Sequence, residues 1–388
     1  MIRRKPEVLK ALLLIALHSS LAYSQSLAER AERGEFAVAF DAAPNEQILA
    51  TLNTFFGRSD LNADFPEIPQ ASRSCPLEGA TDMSGRQWIL ANARVTKVLM
   101  FNENHYGIGE RVFVRTLLPE LRNMGFTHLG LEAFNNSASD DDGQHKPGSG
   151  FYTIEPTFVG LLREAEAAGF EIFGYEPRIE ASEDLDREER FALRESGQAA
   201  NIQAQIDAAP EDARFIIYAG WSHIAEQPVS APGGTGRWMA ARFKKNTGID
   251  PLTIDLTACV YESKDPQNLR GRIVLAADGT PLVFGRDPHA FDAQIRLPIP
   301  PRNHPVTAGF YRQTLGQAVI VPEKLRPADE PVLVQARKLP MLDGEVAHDR
   351  VLLHPGEHLP LYLPPGEYEL QAHRGDGEIV GQMRIGVE

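Results

Sequence analysis
Val95-Thr96-Lys97-Val98-Leu99-Met100-Phe101-Asn102-Glu103-Asn104-His105-Tyr106-Gly107 is an apolar run that breaks abruptly into Glu, His and Gly. A short run rich in β-branched and bulky side chains reads as a strand buried on both faces. Its polar end then reads as a strand terminus of the kind that borders ligands in open α/β sheets. Downstream, Phe113, Leu117, Leu121 and Met124 fall at helical spacing, with Gly125 placed to end that helix. The same rhythm repeats. Strands are expected over 127–131, 170–175, 214–219 and 252–256, and helices over 158–168, 183–208 and 236–246. Strands alternating with helices indicate an α/β fold, a mainly parallel sheet flanked by helices.

After about residue 290 the character changes. Pro298, Pro300, Pro301 and Pro305 mark a linker, and segments 332–336 and 367–372 are short and strand-like, the second led in by Pro364-Pro365-Gly366. A small C-terminal all-β, sandwich-like domain is expected over 300–388, after an α/β domain over 25–295. At the other end, Arg3, Arg4, Lys5 and Lys10 precede the apolar stretch Ala11–Leu17, and Ala22-Tyr23-Ser24 offers small residues for cleavage. That pattern predicts a signal peptide over 1–24 and a periplasmic or secreted protein, with no stable membrane insertion after cleavage.

Of 388 residues, 39 are Lys or Arg and 53 Asp or Glu, for a net charge of -14, which argues against nucleic acid as a partner. Two cysteines, Cys75 and Cys259, exclude a disulfide-rich scaffold or zinc finger. In an oxidising compartment they form one bridge or stay as two buried thiols, and spacing alone does not decide.

The chemistry-bearing residues gather where strands end. The first strand delivers Glu103 and His105, the second Glu132, the third Glu176 and the fourth Gly220-Trp221-Ser222-His223. Glutamates and histidines on one rim suit acid–base activation of water or a divalent metal. Arg115 is expected to reach back from the following helix onto a carboxylate or oxyanion, and Arg111 to lie on a solvated helix face. Tyr106, Glu176 and Trp221 are expected to contact the substrate. Asp140-Asp141-Asp142 lies in a polar loop, read as a solvated lid lacking EF-hand spacing. Gly107-Ile108-Gly109 is no phosphate loop, and no G-x-S-x-G elbow supplies a serine nucleophile, so water is the better nucleophile.

The run 101–107 with Glu110, Arg115, Gly125-Phe126 and Leu131-Glu132 resembles the N-terminal signature of the erythromycin esterase-like proteins. Their wider group takes in the ChaN-type haem-binding and Tiki/TraB proteins. Arg194-Glu195, Asn201-Ile202, Ala219-Gly220-Trp221-Ser222-His223 and Thr235-Gly236-Arg237-Trp238-Met239 extend the resemblance to residues 90–260. Its esterase-like members imply a hydrolase in which His105 activates water against an ester or amide of a small-molecule or peptide substrate. Glu103 and Glu132 would orient that base or shuttle protons, Arg115 would order the carboxylates, and His223 would complete the pocket. The Tiki-like members imply a divalent metal instead, and the ChaN-like members haem or another tetrapyrrole without turnover. Asn102 stands where the signature usually has glycine, and the Glu-x-His spacing is that of the haem-binding branch. A third reading is an interaction protein whose C-terminal module binds a partner.

Overall fold
The computed structural model describes residues 26–65, 75, 80–135, 150–177, 179, 185–232, 234–265, 271–285, 289–301, 309–341 and 345–388. The expected signal peptide, the polar loop with Asp140–Asp142 and Pro305 of the expected linker lie outside them, whereas Pro298, read as linker, lies within a strand spanning Ala293–Ile299. Helices α1 (26–32), α2 (Phe36–Ala42) and α3 (Glu46–Phe55) lead to β1 (Thr81–Ser84) and α4 (Gly85–Asn92). Next come β2 (Val98–Glu103), α5 (Gly109–Asn123), β3 (Phe126–Asn135), α6 (Pro156–Ala168), β4 (Glu171–Glu176), α7 (Arg187–Ala208) and β5 (Arg214–Gly220). The small antiparallel pair β6 (Val229–Ala231) and β7 (Gly234–Gly236) precedes α8 (Met239–Thr247). Four more strands complete this part: β8 (Leu252–Asp255), β9 (Val260–Glu262), β10 (Arg272–Leu275) and β11 (Ala293–Ile299).

The central sheet has the order β1-β10-β11-β8-β2-β5-β3-β4, and β9 pairs with β11. Strands β11 to β4 on this path are parallel, while β1 and β10 add an antiparallel edge. The chain is therefore α/β. All six residues of β2 are buried, because helices cover both faces of a parallel strand. Phe113, Leu117, Phe158 and Leu162 of α5 and α6 pack on one face of the sheet with Phe101, Leu129 and Ile216. Ala199 and Ile202 of α7 and Phe243 of α8 pack on the other with Val98, Met100 and Phe215. The helix ends obey local chemistry. Asp186 accepts hydrogen bonds from the Glu188 and Glu189 amides at the start of α7, and the Glu189 carboxylate accepts from the Asp186 amide. Gly169 ends α6 at φ +79°, in the left-handed conformation that glycine tolerates best.

Beyond β11, strands β12 (Gln317–Ile320), β13 (Val332–Lys338), β14 (Asp349–Leu353), β15 (Pro360–Leu363), β16 (Gly366–His373) and β17 (Ile379–Val387) form two antiparallel sheets, β14-β13-β16-β17 and β12-β15. Val334, Leu353, Leu361, Leu363 and Leu370 bury a core shared by both. The N-terminal helices lie outside the α/β sheet. Leu27, Phe36, Phe55 and Phe56 pack with Leu333 and Leu352 of the C-terminal sheet and with Ile154 and Val159. Buried Arg350 adds donors to the carbonyls of Ala31 (3.2 Å) and Ile154 (3.4 Å), joining the same three parts of the chain.

Cys75 and Cys259 are bonded, with Cα atoms 6.1 Å apart and 184 positions between them in sequence. A crosslink that closes so long a loop restricts the unfolded chain most, so Cys259→Ser should lower stability by about 2–4 kcal/mol. The denaturation midpoint under non-reducing conditions tests this. Dithiothreitol should lower the wild-type midpoint and leave that of the variant in place; a wild-type midpoint insensitive to reductant contradicts the prediction.

Candidate active site
Spatial order decides which rim residues meet. Strand β5 lies between β2 and β3, so the β2 and β3 termini are separated by the end of β5, where Gly220 pairs with Glu103. A Cβ at Gly220 would overlap the His105 ring. Glycine there lets the imidazole lie across the end of β5 toward Glu132. Glu103, His105, Glu132 and His223 thus share one rim, joined by Glu176 from β4.

His105 is built on a buried ion pair. Its Nδ1 lies 3.0 Å from Glu103 Oε1. Arg111 Nε donates to Glu103 Oε2 at 2.6 Å and Arg111 Nη2 to Glu103 Oε1 at 2.9 Å. Arg111 also donates to the His105 carbonyl (3.0 Å) and to Glu155 (3.2 Å), and its guanidinium lies 5.1 Å from the centre of the Phe158 ring. Burial pushes the Glu103 carboxyl up, but the Arg111 charge and the hydrogen bonds from His105 and Arg111 outweigh it and leave Glu103 below the ordinary range. The His105 ring stacks on Tyr152 with centroids 4.4 Å apart. Its side chain is 17% exposed against 3% for Glu103, so the histidine is the accessible member of the pair.

A second cluster surrounds Glu132. Arg194 Nη2 donates to Glu132 Oε1 at 2.5 Å, His223 Nε2 lies 3.2 Å from the same oxygen, and the Gly220 amide donates to Oε2 at 2.5 Å. His223 Nδ1 lies 2.9 Å from Glu195 Oε2, which also accepts from the Met239 amide. Glu176 accepts from Arg194 Nε (2.6 Å) and from Gln198 (2.6 Å), so it fixes the arginine. Burial pushes the Glu132 carboxyl up, but the charges of His223, Arg194 and His105 carry it well below its usual value. Burial pushes His223 down, and Glu132 and Glu195 more than reverse that. A depressed Glu132 stabilises the fold above its unfolded pKa, about 4.3, and that contribution is lost as pH falls through the folded value. Glu132→Gln should therefore flatten the acid limb of the Tm–pH curve relative to wild type; parallel curves would contradict this.

Other side chains depart from their expected places. Arg115 does not reach the rim: it lies one turn beyond Arg111 on α5 and donates to the Thr314 carbonyl. The carboxylate-ordering arginine is Arg111, which is fully buried and not on a solvated face. Glu176 faces Arg194 across the rim. Trp221 adopts φ +44°, unusual for a residue with a side chain, and its carbonyl accepts from Asn102 Nδ2 at 2.8 Å. Asn102 also donates to Asp255 and accepts from the Leu256 amide, so in place of a glycine it ties β2 to β8 and to the start of the Trp221 turn. Tyr106 is buried against Trp221, ring centroids 5.8 Å apart, and forms wall beneath the rim.

Arg111, Arg194 and Glu195 contact the carboxylates and histidines of the rim, although no such place was expected of them. A signal existed. Arg111 shares a helical stripe with Val114, Leu118 and Leu121, and Glu195 one with Ala199, Ile202 and Ile206, all of them buried.

The donor set does not fit a resident divalent cation. Both Glu103 oxygens face Arg111, and both Glu132 oxygens are engaged by Arg194, His223 and the Gly220 amide. A cation would have to displace the guanidinium of buried Arg111 or of Arg194, and among the described residues no group of three or more His, Cys, Asp or Glu side chains is arranged to hold one. Haem ligation through His223 meets the same difficulty, since Nδ1 faces Glu195 and Nε2 faces Glu132 and Arg194 (3.0 Å).

No protein-family model matches the chain, and neither does any curated protein. Among solved structures, the chain is similar to the type III effector HopBA1 at 14% identity and a TM-score of 0.33, covering 58% of this chain and 98% of that one. It is similar to RRSP, a MARTX toxin effector domain from Vibrio vulnificus CMCP6, at 16% identity and a TM-score of 0.35, over 45% of this chain and 36% of that one. The C-terminal region of Pasteurella multocida toxin, described with a thiol-protease-like catalytic triad, is similar at 10% identity and a TM-score of 0.36, over 84% of this chain and 50% of that one.

Proposed function
We propose that this chain is an exported hydrolase of the erythromycin esterase-like kind, cleaving an ester or amide bond with water activated by His105. The observation that carries the reading is the pairing of a partly exposed His105 with a fully buried Glu103–Arg111 ion pair. Glu103 at Nδ1 fixes the tautomer that leaves Nε2 free to accept a proton. The water oxygen bonds to the carbonyl carbon while its proton passes to His105 Nε2. The imidazolium so formed is stabilised by Glu103 and Glu132. His105 then returns the proton to the departing alkoxide or amine as the bond to the carbonyl carbon breaks. Arg194, 35% exposed, supplies positive charge for the carbonyl oxygen as it becomes an oxyanion. The Cys75–Cys259 disulfide supports an oxidising compartment.

His105→Ala should abolish turnover across a panel of chromogenic esters and peptides while the thermal midpoint stays near that of wild type. Turnover by the variant equal to wild type on every substrate that wild type cleaves would overturn the assignment.

A further inference from the structure
A cavity of about 430 Å3 lies where α7, the β6–β7 hairpin and α8 meet. Arg237, Arg242 and Lys245 line it with Ser196, Thr235 and Asn246, and among the described residues no carboxylate does. The local sequence accounts for this. Residues 228–249 hold Arg237, Arg242, Lys244 and Lys245 and neither Asp nor Glu, in a chain with 53 acidic and 39 basic residues. Glu195, next to Ser196 on α7, is turned to His223 and the Met239 amide. Lys244 is already paired with Glu226 at 2.6 Å and with Asp250 at 2.5 Å. Arg237, Arg242 and Lys245 have no such partner among the described residues. Arg242 is half-buried and fixed: its Nε donates to the Arg237 carbonyl at 2.7 Å and its Nη1 to Ser196 Oγ at 2.8 Å. Ser196 Oγ donates in turn to the Ala192 carbonyl, so the hydroxyl anchors the arginine and Nη2 is left to meet a ligand.

We propose that this cavity is a binding site for a small, polar phosphate monoester, its dianionic phosphoryl group held by Arg237, Arg242 and Lys245. A monoanion would leave two of the three positive charges unbalanced, whereas a dianion leaves one. The donors also have the right arrangement. A carboxylate is held best by two parallel bonds from one guanidinium, but Nε and Nη1 of Arg242 are already engaged. Single contacts from Arg242 Nη2, the Lys245 ammonium and Arg237 suit the several oxygens of a tetrahedral anion. Beside them Thr235 and Asn246 offer a hydroxyl and an amide, and Pro228 is, among the described residues, the one apolar side chain in the wall. The organic part is therefore hydroxylated. A cavity of this size holds one small molecule, and the net charge of -14 on the chain disfavours a long polyanion. None of the residues assigned to hydrolysis lines the cavity, so the site stands or falls independently of that reaction.

The test is a calorimetric titration of the whole chain with glycerol phosphate and inorganic phosphate, with malonate and acetate for comparison. It is run at constant ionic strength and about pH 8, where a phosphate monoester is dianionic. One-site binding of both phosphates is expected with a Kd of about 1 mM or tighter, and malonate and acetate should bind more weakly. Arg242→Gln, and the exposed pair Arg237→Gln with Lys245→Gln, should each weaken phosphate binding about tenfold or more. No saturation by about 10 mM of either phosphate would overturn the proposal. So would malonate binding as tightly as phosphate, or an affinity unchanged in the variants. If Arg242→Gln fails to fold, the exposed pair, which holds nothing in the core, still decides.

Discussion

Arg111→Met should lower the stability of the protein by about 3–5 kcal/mol, the range found when one partner of a buried ion pair is removed. Methionine has a comparable length and no charge, so packing against Phe158 is largely kept and the electrostatic loss dominates. Glu155 would keep its hydrogen bonds from the Thr157 and Phe158 amides. Glu103 would keep His105 and lose both Arg111 contacts, at 3% exposure and with little water to replace them. In the wild type Glu103 is held below its usual pKa, so its stabilising contribution is present above the unfolded value and lost as pH falls. The difference between Arg111→Met and wild type should therefore be largest near neutrality and shrink in acid. Urea unfolding at two pH values measures it: the midpoint should shift with an unchanged slope. A variant as stable as wild type at neutral pH would show that the Glu103–Arg111 pair contributes nothing net. Arg111→Lys should recover only part of the loss, since an ammonium cannot match the two-pronged guanidinium contact.

The parts of the fold legible in the sequence are those whose burial is local. Strand β2 is apolar along its buried length up to Asn102, and Gly169 closes α6 where a left-handed residue is needed. Strand β11 is not legible, because Gln294 and Arg296 interrupt its apolar pattern although both are buried. Gln294 donates to Asp255, an arrangement between strands that no period reveals. The packing of α1 to α3 on the C-terminal module is hidden for a related reason. Arg350 and Ala31 are 319 positions apart in sequence, and only the folded chain shows that they share a hydrogen bond. At the site, Glu103, His105, Glu132 and His223 can be found because a parallel sheet exposes the residues just past each strand end. Arg111 and Arg194 are not marked by a strand end, because both lie on helices, where a charged residue ordinarily faces water. Arg111 lies a turn nearer the rim than Arg115, and the stripe shared with Val114 and Leu118 is the feature that turns it inward.

Glu103→Gln should reduce kcat by about 10²–10⁴-fold, the range associated with losing a positioned general base, with a much smaller change in KM. Glutamine preserves the volume but not the charge. Facing Arg111, the side chain presents its carbonyl oxygen to the guanidinium, which leaves the amide group toward His105 Nδ1. An amide N–H there requires Nδ1 to accept, and the ring proton moves to Nε2, the atom that must take a proton from water. The Arg111 charge, no longer balanced by Glu103, also disfavours imidazolium formation 3.0 Å from the site of substitution. Both effects act on the base and neither on substrate contacts, which is why kcat falls and KM does not. The loss should also persist at higher pH, because a tautomer change cannot be titrated away, whereas a mere lowering of basicity by Arg111 would shift the acid limb of the pH–rate profile. A variant within about threefold of wild-type kcat would separate Glu103 from the chemistry and leave it as the structural partner of Arg111.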